Sequence, residues 1–80
     1  MRTIQSYCEA YIALVYPGMT LPPDQLREVR HAFHAGAEAM FKFLDDVSDD
    51  SISEDAGIAM LTGIREELRA YSGQVLRGEA

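Results

Sequence analysis

Between Pro23 and Val47 the apolar residues recur at three- and four-residue intervals, and no proline interrupts them. Leu26, Val29, Phe33, Gly36, Ala37, Met40, Leu44 and Val47 fill an arc of roughly 100° on a helical wheel, with Phe43 and Phe41 at its margins. The opposite arc carries Arg27, Glu28, His31, Glu38 and Lys42. That pattern predicts one long amphipathic helix over 23–47, and nothing in the chain alternates with the period of two that a strand needs. Pro23 is preset for a first helical turn, and Asp24 complements the positive end of the helix dipole, with Thr20 or Leu21 leading in.

Two further helical patterns flank it. Over 3–16, Ile4, Tyr7, Cys8, Tyr11, Leu14 and Val15 share one face, and Pro17-Gly18 ends the run because proline disfavours helical geometry in Tyr16. Over 53–76, Gly57, Leu61, Ile64, Leu68, Tyr71 and Val75 are spaced four, three, four, three and four, a heptad-like seam. Ser51 or Ser53 can cap this helix, Ser51 with Glu54 fits a capping box, and Gly73 and Gly78 suggest fraying at its end. The expected fold is all-α: a single three-helix bundle over 1–80, with helices 2 and 3 as an antiparallel hairpin and a shorter N-terminal helix.

A chain of 80 residues buries only about 60–65% of its unfolded surface, so its core is marginal and a partner would help. Cys8 is the only cysteine, which excludes an internal disulfide and fits a reducing compartment. No segment resembles a signal peptide or a membrane span. A cytoplasmic protein is therefore expected, acting in the host cytoplasm if a phage encodes it. The net charge of −6 comes wholly from Asp45, Asp46, Asp49, Asp50, Glu54 and Asp55, with no base among them. An acidic patch without a basic stripe argues against duplex nucleic acid as a partner.

That acidic turn reads either as a solvated connection or as a surface for a basic protein partner. It does not match a calcium loop, since Val47 stands at the third position counted from Asp45 and no glycine at the sixth. His31 and His34 share one helix face with Glu28 and Glu38, but a di-iron bundle site needs a second such set, and none is present. No metal and no cofactor is expected. Arg30, His34 and Phe41, with Arg27 close by, lie at one border of the long helix. Arginine and histidine beside an aromatic could receive a phosphate and stack a base, and Arg65 and Arg69 could complete the pocket within the chain or across a dimer. The competing reading leaves Phe41 edging the core and the arginines solvated.

Gly36 sits on the apolar arc of helix 2, where glycine costs about 1 kcal/mol relative to alanine, so a close helix approach is expected there. Phe41, Phe43, Ile58, Met60 and Leu76 extend the apolar surface beyond a narrow seam, which points to a homo-oligomer, a dimer or higher. No nucleophile elbow, phosphate loop or paired cysteine motif appears, and Cys8 reads as a small buried hydrophobe. The chain is not expected to be an enzyme.

The run QLREVRHAFHAGA at 25–37 and the run SEDAGIAML at 53–61 resemble a pattern found in small, mostly uncharacterised phage and prophage helical proteins: a "Q…R.AF.AGA" helix, a polar turn and an "SED…A…L" helix. The resemblance spans roughly residues 22–72. It implies a phage origin and a compact inhibitor of host immunity that works by binding; no functional residue carries over. The Leu21-Pro22-Pro23 lead-in also resembles, in architecture, the helical phage sponges that sequester cyclic-nucleotide alarm signals. Three expectations follow. The first is an anti-defence sponge that holds a signalling nucleotide through Arg27, Arg30, His34 and Phe41. The second is an anti-CRISPR-like inhibitor that presents residues 45–55 to a host defence protein, and the third is a structural or regulatory oligomer subunit.

Overall fold

The computed structural model of the chain describes residues 2–80. It is all-α, with three helices in the order α1 (Ile4–Val15), α2 (Pro23–Val47) and α3 (Glu54–Leu76) and no strand among the described residues. Each lies within a residue or so of its predicted span. The chain divides into two units, Met1–Lys42 and Phe43–Ala80, and α2 contributes to both.

Local chemistry sets the helix ends. Thr3 caps α1 by a reciprocal pair: Ser6 N–H donates to Thr3 Oγ1 at 3.0 Å and Thr3 N–H donates to Ser6 Oγ at 2.9 Å. These bonds satisfy amide donors that the first helical turn leaves without a carbonyl. Gly18, at φ +70°, takes the left-handed turn after Tyr16 that a side chain would resist. The carbonyl of Pro22 accepts the first bond of α2, from Leu26 N–H at 2.9 Å. Leu21, 9% exposed, therefore precedes the cap and Leu26 follows it, at the two positions of a hydrophobic staple.

In the first unit the fully buried side chain is Cys8. Its neighbours in burial are Glu9 and Ile12 on α1, Tyr16 at the C-cap of that helix, and Leu26, Val29, Phe33 and Ala37 on α2. The half-buried line thus runs through Cys8 and Ile12 to the cap residue Tyr16 at four-residue steps. It departs from the face expected from the wheel, since Ile4, Tyr7, Tyr11, Leu14 and Val15 are all exposed. A twelve-residue helix that meets one neighbour buries a single stripe, and the rest of a broad apolar face stays wet. Tyr11 still reaches across, its ring centroid 5.6 Å from that of Phe33 and tilted by 40°. Such a pair adds about 0.5–1.5 kcal/mol beyond its burial.

The second unit opens with the last turn of α2. Ser48 Oγ donates to the carbonyl of Leu44 at 2.9 Å, and the turn closes through Ile52 N–H to the Asp49 carbonyl at 3.0 Å. Ser53, not Ser51, caps α3: Ala56 N–H donates to Ser53 Oγ at 3.1 Å. Ser51 is held elsewhere, its N–H donating to Asp49 Oδ1 at 2.8 Å, so the expected box with Glu54 does not form. Gly57 is buried, and a Cβ built there would lie 3.5 Å from Val47 Cγ1. The close approach is here and not at Gly36, where a Cβ would meet nothing within 4 Å. The far end of α3, where glycines suggested fraying, is closed by hydrogen bonds. Glu79 N–H donates to the Gln74 carbonyl and Gly78 N–H to the Val75 carbonyl, with Gly78 at φ +72°: a Schellman motif that seals the last carbonyls.

Both ends of α3 are therefore closed, yet its seam is not. Leu61, Leu68, Tyr71 and Val75 are 43–58% exposed, and only Ile64 among the seam's large side chains is half-buried. Full burial of such a side chain stabilises by about 1.5–3 kcal/mol, most of which this seam forgoes in the single chain.

Candidate binding surfaces

The six residues expected to form a ligand pocket fall in different units: Arg27, Arg30, His34 and Phe41 in the first, Arg65 and Arg69 in the second. In the first unit the polar members already have partners. Arg30 reaches from α2 to α1 and places Nε at 3.0 Å and Nη2 at 2.8 Å from Glu9 Oε1. Both side chains are 44% exposed, so the pair contributes on the order of 0–1 kcal/mol, but it fixes where the guanidinium points. Arg27 lies 3.6 Å from Asp24 one turn back.

His34 Nδ1 is 2.8 Å from the carbonyl of Arg30. A carbonyl only accepts, so Nδ1–H donates there and is engaged within α2. Its ring stands edge-on to Phe33, with centroids 6.3 Å apart. Phe41 is exposed and makes no ring contact with an aromatic or cation among the described residues. Arg30 is thus held in the α1–α2 contact, and His34 by partners within α2. Glu9, the only acid on α1, is the residue that sequence reasoning missed. Its signal was a lone carboxylate on a helix with no cation to pair with.

On α3 the position is reversed. Arg65 and Arg69 lie one turn apart and form no ion pair among the described residues. They border an open groove of about 550 Å³ whose other walls are Leu61, Ile64, Leu68 and Leu76. All of its lining comes from one helix, so it is a shallow strip along α3 and not an enclosed pocket.

The acidic turn divides by role. Asp49 accepts from the Ser51 hydroxyl and the Ser51 backbone N–H, which together hold its carboxyl below the usual carboxylate range. Glu54 and Asp55 sit in the first turn of α3, where negative charge suits the dipole. Asp45, Asp46 and Asp50 form no ion pair among the described residues. No group of three His, Cys, Asp or Glu side chains among the described residues could hold a metal ion, and His31 is exposed to solvent. No helix in the described residues is long and apolar enough to cross a membrane. Comparison with known proteins found no matching family model, curated protein or solved structure.

Proposed function

We propose that the chain is a non-catalytic binding protein that inhibits a host antiviral defence by sequestration, holding a phosphorylated signalling nucleotide against the arginines of α3. One observation supports this reading above the others: Arg65 and Arg69 lack a carboxylate partner among the described residues, whereas Arg27, Arg30 and Arg77 each have one. The guanidinium fork matches phosphate oxygens in a bidentate manner, and the apolar wall of Leu61, Leu68 and Leu76 offers a surface for the face of a base. The phage setting comes from the resemblance at residues 25–37 and 53–61. Relative to the pocket expected from the sequence, the ligand set contracts to Arg65 and Arg69.

The test is a thermal-shift panel of cyclic and ADP-ribose-derived nucleotides on the whole protein. At least one nucleotide should raise the Tm, and Arg65→Ala with Arg69→Ala should abolish the rise without changing the unliganded Tm. No shift with any nucleotide would contradict the reading. A second reading, inhibition of a basic host protein, is supported by the unpaired Asp45, Asp46 and Asp50. Salt separates the two classes of partner, because docking on this patch should weaken steeply with ionic strength and vanish when the three are changed to asparagine.

A further inference from the structure

We infer that the α3 groove holds a second phosphate subsite, formed by Ser72 and Arg77 over Gly73. Its ligand then carries at least two phosphoryl groups. The inference rests on the sequestration reading, in which Arg65 and Arg69 receive the first of them.

Ser72 lines the groove between Arg69 and Leu76. The other serine hydroxyls are engaged within the chain. Ser6 and Ser48 donate to backbone carbonyls at 2.8 and 2.9 Å, Ser51 bonds the Asp49 carboxylate, and Ser53 receives Ala56 N–H. A serine within a helix can bond back to the carbonyl four residues earlier, as Ser48 does. The Ser72 hydroxyl makes no such bond among the described residues, so its donor and its acceptor are both open to a ligand.

Next to it, Gly73 leaves the groove floor without a side chain, and Arg77 folds back into that space. A Cβ built on Gly73 would lie 3.1 Å from Arg77 Nη1, tighter than ordinary van der Waals contact. Glu79 does not use the whole guanidinium. Both carboxylate oxygens accept from Nε, each at 3.1 Å, and the Nη1–Nη2 edge has no partner among the described residues. That end-on fork matches two phosphate oxygens. Glu79 fixes the direction of the fork and offsets its charge, so the subsite needs the Ser72 hydroxyl as a further donor.

The carbonyls that end a helix repel an anion. Here those of Gly73, Gln74 and Val75 are taken by the N–H groups of Arg77, Glu79 and Gly78. From Arg69 to Gly73 the helix rises about 6 Å. One phosphate seated between Arg65 and Arg69 leaves the Ser72–Arg77 subsite empty, whereas a ligand with two phosphoryl groups fills both.

Titration calorimetry of the whole protein with inorganic triphosphate and with inorganic phosphate provides the test. Triphosphate should bind, and Arg77→Ala and Ser72→Ala should each weaken it about two- to tenfold, the range for one lost hydrogen bond. Gly73→Ala, whose Cβ displaces the fork, should weaken it as well, while the helix signal in circular dichroism holds or rises. Lys42→Ala, which removes a cation from α2, should change nothing. Inorganic phosphate should bind more weakly and respond to neither Ser72→Ala nor Arg77→Ala. Triphosphate binding that is lost in Arg65→Ala with Arg69→Ala but indifferent to Ser72→Ala and Arg77→Ala would overturn this inference and leave the sequestration reading standing. Absent triphosphate binding, or an equal loss from Lys42→Ala, would overturn it too. A nucleotide panel without any shift, beside a triphosphate response that depends on Ser72 and Arg77, would contradict the sequestration reading alone.

Discussion

The two units solve the same problem in different ways. In the first, a short helix lies on α2 and hides one small side chain completely, and Leu21 ahead of α2 is buried as well. An aromatic contact and an ion pair then bind α1 to α2. In the second, α3 is longer and both its ends are closed by hydrogen bonds, but its only buried residue is Gly57, at the corner beneath Val47 and Ile52. The first unit draws its stability from contact between helices. The second relies on caps and one tight corner, and caps contribute about 1 kcal/mol each where a buried side chain contributes two or three. The lesson is that well-formed helix ends do not imply a covered face.

The sharpest way to break this contrast is at Cys8. Cys8→Asp places an unpaired charge where nothing is exposed, and should cost at least 3 kcal/mol and unfold the first unit. Urea denaturation followed by circular dichroism would report it as a large fall in midpoint. A cost under 1 kcal/mol would show that Cys8 is not sealed from water.

A smaller effect is expected at the start of α3. Ser53→Ala removes the hydroxyl that receives Ala56 N–H and should destabilise by about 1 kcal/mol. Ser51→Ala should cost less, since the Ser51 contact to Asp49 runs partly through its backbone N–H. Equal losses from the two variants would return the cap to Ser51.

The smallest effect is a gain. Gly36→Ala meets open space and should raise stability by about 0.5–1 kcal/mol through helix propensity alone. A loss in the thermal midpoint would mean that something approaches Gly36 closely, as its place on the apolar arc of α2 first suggested.

Much of the fold was legible because helix periodicity and cap chemistry are local. The three-four spacing from Leu26 to Val47, the Pro17-Gly18 stop and the serines before Glu54 place the helices without reference to the rest of the molecule. What lay outside the sequence was which part of each apolar face meets a neighbour. On α1 the wheel offered a broad face, and contact selected Cys8 and Ile12 from its edge. On α3 a heptad seam reads as a covered face, and only the exposure of Leu61, Leu68, Tyr71 and Val75 shows that most of it is not. The candidate site was half legible for a related reason. Arginines can be read from a sequence, but Arg30 is held by a carboxylate twenty-one positions away, and no local pattern reveals which guanidinium is engaged.

Hydrogen exchange tests the central claim most directly, that contact between helices holds the first unit while α3 leaves its face open. Amides around Cys8 and Ile12 should exchange more slowly than those of residues 61–76. Protection over 61–76 that equals or exceeds that of the Cys8 region would contradict the account.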